Sequence, residues 1–118
     1  MNLLFLLTNN RSKPEKVLIP FVLANNAITV GNSVSIVLQM EAVELAKIGE
    51  PEKVAMEIFP PLNQLWESFL GKGGKLLVCN PCLRYRRLTT SELDSRVIVV
   101  GGTTLVNLIS SCDKVIVY

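Results

Sequence analysis

Two cysteines three positions apart, Cys79 and Cys82, stand where an apolar run meets a basic one, in LLVCNPCLRYRR, residues 76–87. Thiols in that spacing can help hold a metal, exchange a disulfide, carry sulfur, or only fill space. Pro81 suits the first turn of a helix and pushes Asn80 toward an extended, cap-like conformation. The spacing therefore predicts Cys79 just before a helix and Cys82 in its first turn. Free N–H groups at a helix start favour an anion, and Arg84, Arg86 and Arg87 add positive charge nearby. A thiolate near neutral pH is expected on at least one of the pair.

The rest of the composition narrows the chemistry. The chain has 118 residues, three cysteines and no histidine. Without histidine there is no Ser-His or Cys-His nucleophile pair, and the commonest metal ligand is missing. A structural zinc or iron–sulfur site wants four ligands. One CxxC with a distant Cys112 does not supply them, so neither a metal nor another cofactor is expected. An odd cysteine count argues against a disulfide scaffold. The opening MNLLFLLTNN lacks a basic start and a cleavage site, so it reads as a buried strand, and a cytoplasmic location is expected. No apolar run is long enough to span a bilayer. A net charge of +2 gives no nucleic-acid footprint. CNPC differs by one residue from the thioredoxin-type CGPC. In that fold, however, the motif follows an early strand and a proline segment lies downstream. Here the motif follows the third predicted strand, and no proline occurs after Pro81.

The elements that must position the pair alternate in type. NLLFLLT (2–8), SVSIVLQ (33–39), KLLVC (75–79), SRVIVVGG (95–102) and KVIVY (114–118) read as strands. Ser12 and Glu15 are spaced as a capping box for a helix from about Pro14 to Asn26, which Pro20 should kink. MEAVELAKIG (40–49) reads as a short helix closed by Gly49. Residues 50–59 fit no period. Leu62, Leu65, Trp66, Phe69 and Leu70 share one helical face after Pro60-Pro61. Thr89 and Glu92 suggest a capping box for a short helix, and TTLVNLISSC (103–112) a last one. Unbroken apolar strands alternating with helices predict one α/β domain over 1–118, a three-layer α/β/α sandwich around a five-stranded parallel sheet.

Parallel sheets bind ligands beyond the carboxyl ends of their strands. Those ends gather Asn9 after the first strand, Gln39, Met40 and Glu41 after the second, Cys79, Asn80 and Cys82 after the third, and Gly101 and Gly102 after the fourth. Each has a plainer reading. Glu41 suits a solvated first-turn carboxylate, the glycine pair a tight turn, Cys112 core filling and the Trp66 stripe helix packing.

PEKVLIPFVLANNAI, VSIVLQMEAVELAKIG and GGKLLVCNPCLRYR together resemble the DsrE/DsrF-like family, with its YchN-like and TusD-like members. The resemblance covers nearly the whole chain and is weakest at residues 50–60. It implies the same three-layer fold and an assembly of subunits, often a trimer or hexamer. It also implies sulfur handling, in which the strand-end cysteine, Cys79 here, takes up sulfane sulfur as a persulfide from a donor protein and passes it to an acceptor. The resemblance includes an arginine-containing helix after that cysteine, from which Arg84 is expected at the site, but Arg87-Leu88 stands where a small residue or glycine often follows the arginine. Cys82 would then release the carried sulfur by attacking Cys79, or only pack. A dithiol exchanger and a non-catalytic interaction subunit are the other readings, and whether the chain is an enzyme stays open. With 49% hydrophobic residues and mean hydropathy +0.40, the chain is also apolar for its length. Broad apolar faces on residues 14–26 and 60–70, residues 54–59 and the final strand are the expected contact surfaces of a homo-oligomer.

Overall fold

The structure, a computed structural model, describes all residues from Met1 to Tyr118. Five strands, β1 (Asn2–Leu7), β2 (Ser33–Leu38), β3 (Lys75–Cys79), β4 (Ile98–Val100) and β5 (Lys114–Val117), form one sheet. Its order is β4-β3-β2-β1-β5, and every pairing is parallel. The helices are α1 (Pro14–Thr29), α2 (Leu62–Gly71), α3 (Asn80–Tyr85) and α4 (Gly102–Ser111). This is the expected three-layer α/β/α arrangement. No helix is long and apolar enough to cross a membrane.

Handedness explains how the layers are filled. The chain steps from β1 to β4 in one direction across the sheet, and right-handed crossovers then place α1, α2 and α3 on one face. The step from β4 back to β5 runs the other way, so α4 lies on the opposite face. The first face holds a core of 22 buried residues, among them Phe5, Leu7, Ile36, Leu38, Leu76 and Val78 from the strands. The second holds only Leu4, Val37, Leu77 and Val100, with Leu105, Leu108 and Cys112 half-buried against them.

Several local expectations change. α1 runs to Thr29 and continues past the buried Pro20, and its start carries no capping box: Lys13 is the cap, and Ser12 instead donates its N–H to the Asn10 side chain at 2.9 Å. Asn10 captures the turn before Ser12 can reach the helix. Residues 40–49 form no α-helix; Met40–Ala46 is a 3₁₀ segment that buries Ala42, Val43, Leu45 and Ala46. The short helix before β4 is a single 3₁₀ turn, Thr90–Glu92, where the Thr89 hydroxyl donates to the Glu92 carboxylate at 3.2 Å. β4 is only three residues long.

The apolar faces of α1 and α2 do not point outward. They pack on each other and on the sheet through Phe21, whose ring stacks on Trp66 at 5.6 Å and meets Phe69 edge-on at 6.1 Å. Asn25, buried in α1, donates to the Phe21 and Leu65 carbonyls at 2.9 and 3.1 Å and so ties the two helices together. Between residues 54 and 59, Val54 is buried and only Ile58 stands fully exposed among the large apolar side chains.

Candidate functional site

β2 and β3 are neighbours in register, with Leu38 beside Val78, so Gln39 and Cys79 leave the sheet side by side. Gln39 prolongs the β1–β2 ladder by donating its N–H to Leu7 at 2.9 Å. Met40 then turns into the left-handed region at φ 53°. For a residue with a long side chain that conformation costs about 1–2 kcal/mol, and such strain concentrates at functional sites. Its effect here is visible: the Met40 N–H points at the Cys82 sulfur, 3.2 Å away. The buried side chains of the following 3₁₀ segment hold the turn in place.

α3 begins one residue earlier than Pro81 suggested: Asn80, expected to be the extended cap, is already helical. Cys79 is the extended cap, Pro81 sits in the first turn and Leu83 buries into the core. This brings the Cys82 thiol to 3.0 Å from the Cys79 sulfur, to which it donates. Both cysteines are half-buried and free. Four residues after Cys82, on the same helical face, Arg86 donates to the Cys82 carbonyl at 3.2 Å. Arg86 also pairs with Glu44 at 3.6 Å, and Glu44 accepts from the Asn10 amide at 3.2 Å. α3, the 3₁₀ segment and the loop after β1 are thus laced together beside the sulfurs. Arg87 takes φ 56° just after α3, while the Leu88 N–H returns to the Leu83 carbonyl at 3.0 Å. This is the helix-ending turn that glycine usually makes, here made by an arginine.

The electrostatics set the thiolate expectation aside for Cys79. Burial, first, and the hydrogen bond with Cys82, second, push the Cys79 thiol above its ordinary range. The Cys82 N–H and the Arg86 charge pull it down and do not prevail. Desolvation outweighs the helix start and the arginine, so Cys79 rests as a thiol at neutral pH.

Of the residues expected at the site, Cys79, Cys82, Gln39 and Met40 come together. Asn80 and Glu41 lie exposed on the rim. Gly101 and Gly102 follow Val100, the register partner of Cys79, but lead away over the opposite face into α4. Asn9 follows β1, two strands from β3, where its amide makes only a 3.4 Å contact with Thr8. Arg84 is exposed on the outer side of α3. Arg86, Glu44 and Asn10 occupy the place given to Arg84. The four-residue spacing from Cys82 to Arg86 was the available signal. No three Cys, Asp or Glu side chains converge to hold an ion.

The order of the sheet reverses between β1 and β5, where such folds usually open a crevice. Thr8 closes it, with its N–H and its hydroxyl both donating to the Tyr118 carbonyl at 3.0 and 2.9 Å. Two clefts lie elsewhere. One of about 400 Å³ is at the amino ends of the strands, lined by Ser33, Lys72, Lys75 and Cys112. The other, about 360 Å³, is beside Trp66, Asp94 and Arg96. Neither includes Cys79 or Cys82, so the paired sulfurs and not a cleft mark the candidate site.

Known proteins share this architecture. The E. coli ychN protein matches over the whole of both chains with a TM-score of 0.73 at 16% identity. The protein of unknown function MTH1491 from Methanobacterium thermoautotrophicum matches 99% of this chain and 97% of its own with a TM-score of 0.75 at 15% identity. In sequence, the uncharacterized protein MJ0760 of Methanocaldococcus jannaschii is 29% identical over 103 residues, and the match spans 87% of this chain but only 38% of that relative. The DsrE/DsrF-like family model matches residues 1–118 without a break. On that full-length match, and with the five-stranded parallel sheet and strand-end cysteine already described, the chain belongs to the DsrE/DsrF-like family.

Proposed function

We propose that this chain is a sulfur-relay protein of intracellular sulfur metabolism, working in the cytoplasm. Cys79 takes sulfane sulfur from a donor as a persulfide and hands it to an acceptor protein. The observation that carries the reading is a free cysteine at the carboxyl end of an inner strand, in a family whose implied role is sulfur relay. The chemistry needs a sulfur nucleophile and no histidine. Gln39 and Met40 adjoin the pair, with Glu41 and Asn80 on its exposed rim. Asn9, Arg84, Gly101 and Gly102 stand further out, where a docked protein would meet them.

The chain works as a homo-oligomer, a trimer or hexamer, in which a neighbouring subunit narrows access to Cys79. The exposed apolar side chains of α4, Val106 at 62% and Ile109 at 40%, support an assembly. Light scattering at micromolar concentration tests it, and a stable monomer near 13 kDa overturns it. Incubation with a sulfane-sulfur donor followed by mass spectrometry tests the relay. The added sulfur maps to Cys79 and is lost in Cys79→Ser; if that variant takes up sulfur as the parent does, the assignment fails.

The 3.0 Å sulfur separation favours a second reading, simple thiol–disulfide exchange. Titration in glutathione or dithiothreitol buffers decides it. A pair that stays reduced throughout excludes exchange.

A further inference from the structure

The site holds a second nucleophile that a pure carrier does not require. Cys82 is placed against the inner sulfur of Cys79, at 3.0 Å. Its position is held from two sides, by the Met40 N–H at 3.2 Å and by Arg86 on the Cys82 carbonyl at 3.2 Å. The Met40 contact depends on a backbone turn at φ 53°. A thiol that only filled space would need neither the turn nor the contact.

Resting on the relay reading above, we infer that Cys82 is a resolving thiol, which ends the persulfide on Cys79 by releasing hydrogen sulfide and leaving a Cys79–Cys82 disulfide. The Cys82 sulfur attacks the inner sulfur of the persulfide. The new bond is the disulfide, and the bond that breaks joins the inner and outer sulfurs. The outer sulfur leaves with the bonding electron pair, and the proton given up by Cys82 ends on the departing sulfide. The two cysteine sulfurs are oxidised together by two electrons, and the sulfane sulfur is reduced by two. An external dithiol then reopens the disulfide and restores the site.

Position decides between this and transfer along the pair. Attack on the outer sulfur would move the persulfide to Cys82. The Cys82 sulfur already stands at hydrogen-bond distance, 3.0 Å, from the sulfur that becomes the inner one, which favours attack there. The carried sulfur therefore has a limited lifetime. An acceptor that docks promptly receives it; without one, it leaves as sulfide.

The test uses the full chain in a Cys112→Ser background, which removes the third thiol, half-buried in the thin core on the far side of the sheet. Reduced protein is mixed with inorganic polysulfide and followed by intact and peptide mass spectrometry, with sulfide measured in parallel. The parent is expected to end lighter by two hydrogens, with sulfide released and Cys79 linked to Cys82. Cys82→Ser is expected to hold one extra sulfur on Cys79, with a persulfide lifetime longer by about tenfold or more. Cys82→Ala serves as a second variant with the same expectation. Equal persulfide lifetimes in parent and variants overturn the resolving role and leave the relay standing. Sulfur found on Cys82 in Cys79→Ser, with none on Cys79 in Cys82→Ser, reverses the roles and overturns both readings. No sulfur on Cys79 in any variant also overturns both.

Discussion

The two faces of the sheet are built unequally. Three crossovers cover one face with α1, α2, α3 and a 3₁₀ segment over 22 buried residues, and one crossover covers the other with α4 over four. A ten-residue helix is about 15 Å long. Five strands spread across about 19 Å, and each has its own length, so one helix cannot roof the sheet. Register shows what is left uncovered. Ile98 lies beside Leu77, and Val115 and Val117 beside Leu4 and Leu6, yet these three are 46%, 40% and 65% exposed. Part of the exposed apolar surface therefore lies on the α4 face, while the apolar faces of α1 and α2 are spent on the thick core. The candidate site sits at the carboxyl edge of the thick face, where packing is dense enough to hold a strained turn in place.

Phe21→Ala should be the most damaging change, at about 3–5 kcal/mol, because it empties the centre of the thick layer. Leu105→Ala, half-buried under α4, should cost about 1–2 kcal/mol. Urea melts of both measure the contrast, and equal losses would mean that the faces are equally packed. The next effect is electrostatic. Asp94 accepts from the Trp66 indole at 3.0 Å and from Arg96 at 2.7 Å, and Arg96 also grips Glu67 at 2.7 Å. Arg96 first, and the indole after it, hold the Asp94 carboxyl down at about 2. Its folded value lies below the unfolded value of about 3.9, so its stabilisation is present above pH 4 and is lost as pH falls toward 2. Because the cluster is partly exposed, about 1 kcal/mol is expected. Melts of the parent and Asp94→Asn between pH 5 and 2.5 should converge at the acid end. Smallest is Val106→Lys on the outside of α4, which should move chain stability by no more than about 0.5 kcal/mol. Any larger consequence should appear in the size of the assembly, read by light scattering.

These contrasts also show what the sequence could convey. Runs such as LLVC and SIVL announced buried parallel strands, because only residues covered on both sides read as unbroken apolar runs. Cys79, Pro81 and Cys82 announced a strand end and a helix start. The alternation of strand and helix carried the fold class. What stayed hidden depended on competition between distant groups. Ser12 had the right spacing for a cap, but Asn10 took its N–H. Arg84 was expected at the site, yet the turn of α3 puts Arg86 on the Cys82 carbonyl and leaves Arg84 in solvent. The thiolate expectation weighed a helix start and positive charge, while burial of Cys79 depends on how β2, β3 and the 3₁₀ segment close over it. Met40 showed no sign of its left-handed turn, since methionine does not favour one.

The pairing of β1 with β5 carries a consequence for biosynthesis. β1 is made well before β5 and lies inside the sheet, yet one of its edges waits for β5, through Leu3 beside Lys114 to Leu6 beside Val117. The Asn2 N–H likewise waits for the Asp113 carboxylate, and Thr8 for Tyr118. Until β5 exists, a nascent chain that has already folded its thick layer presents the backbone of an apolar strand, bare and ready to pair. Such an edge recruits other chains as readily as its own. For this protein the vulnerable period is therefore translation itself, and chaperone dependence should be concentrated there, easing as soon as residues 114–117 can reach β1.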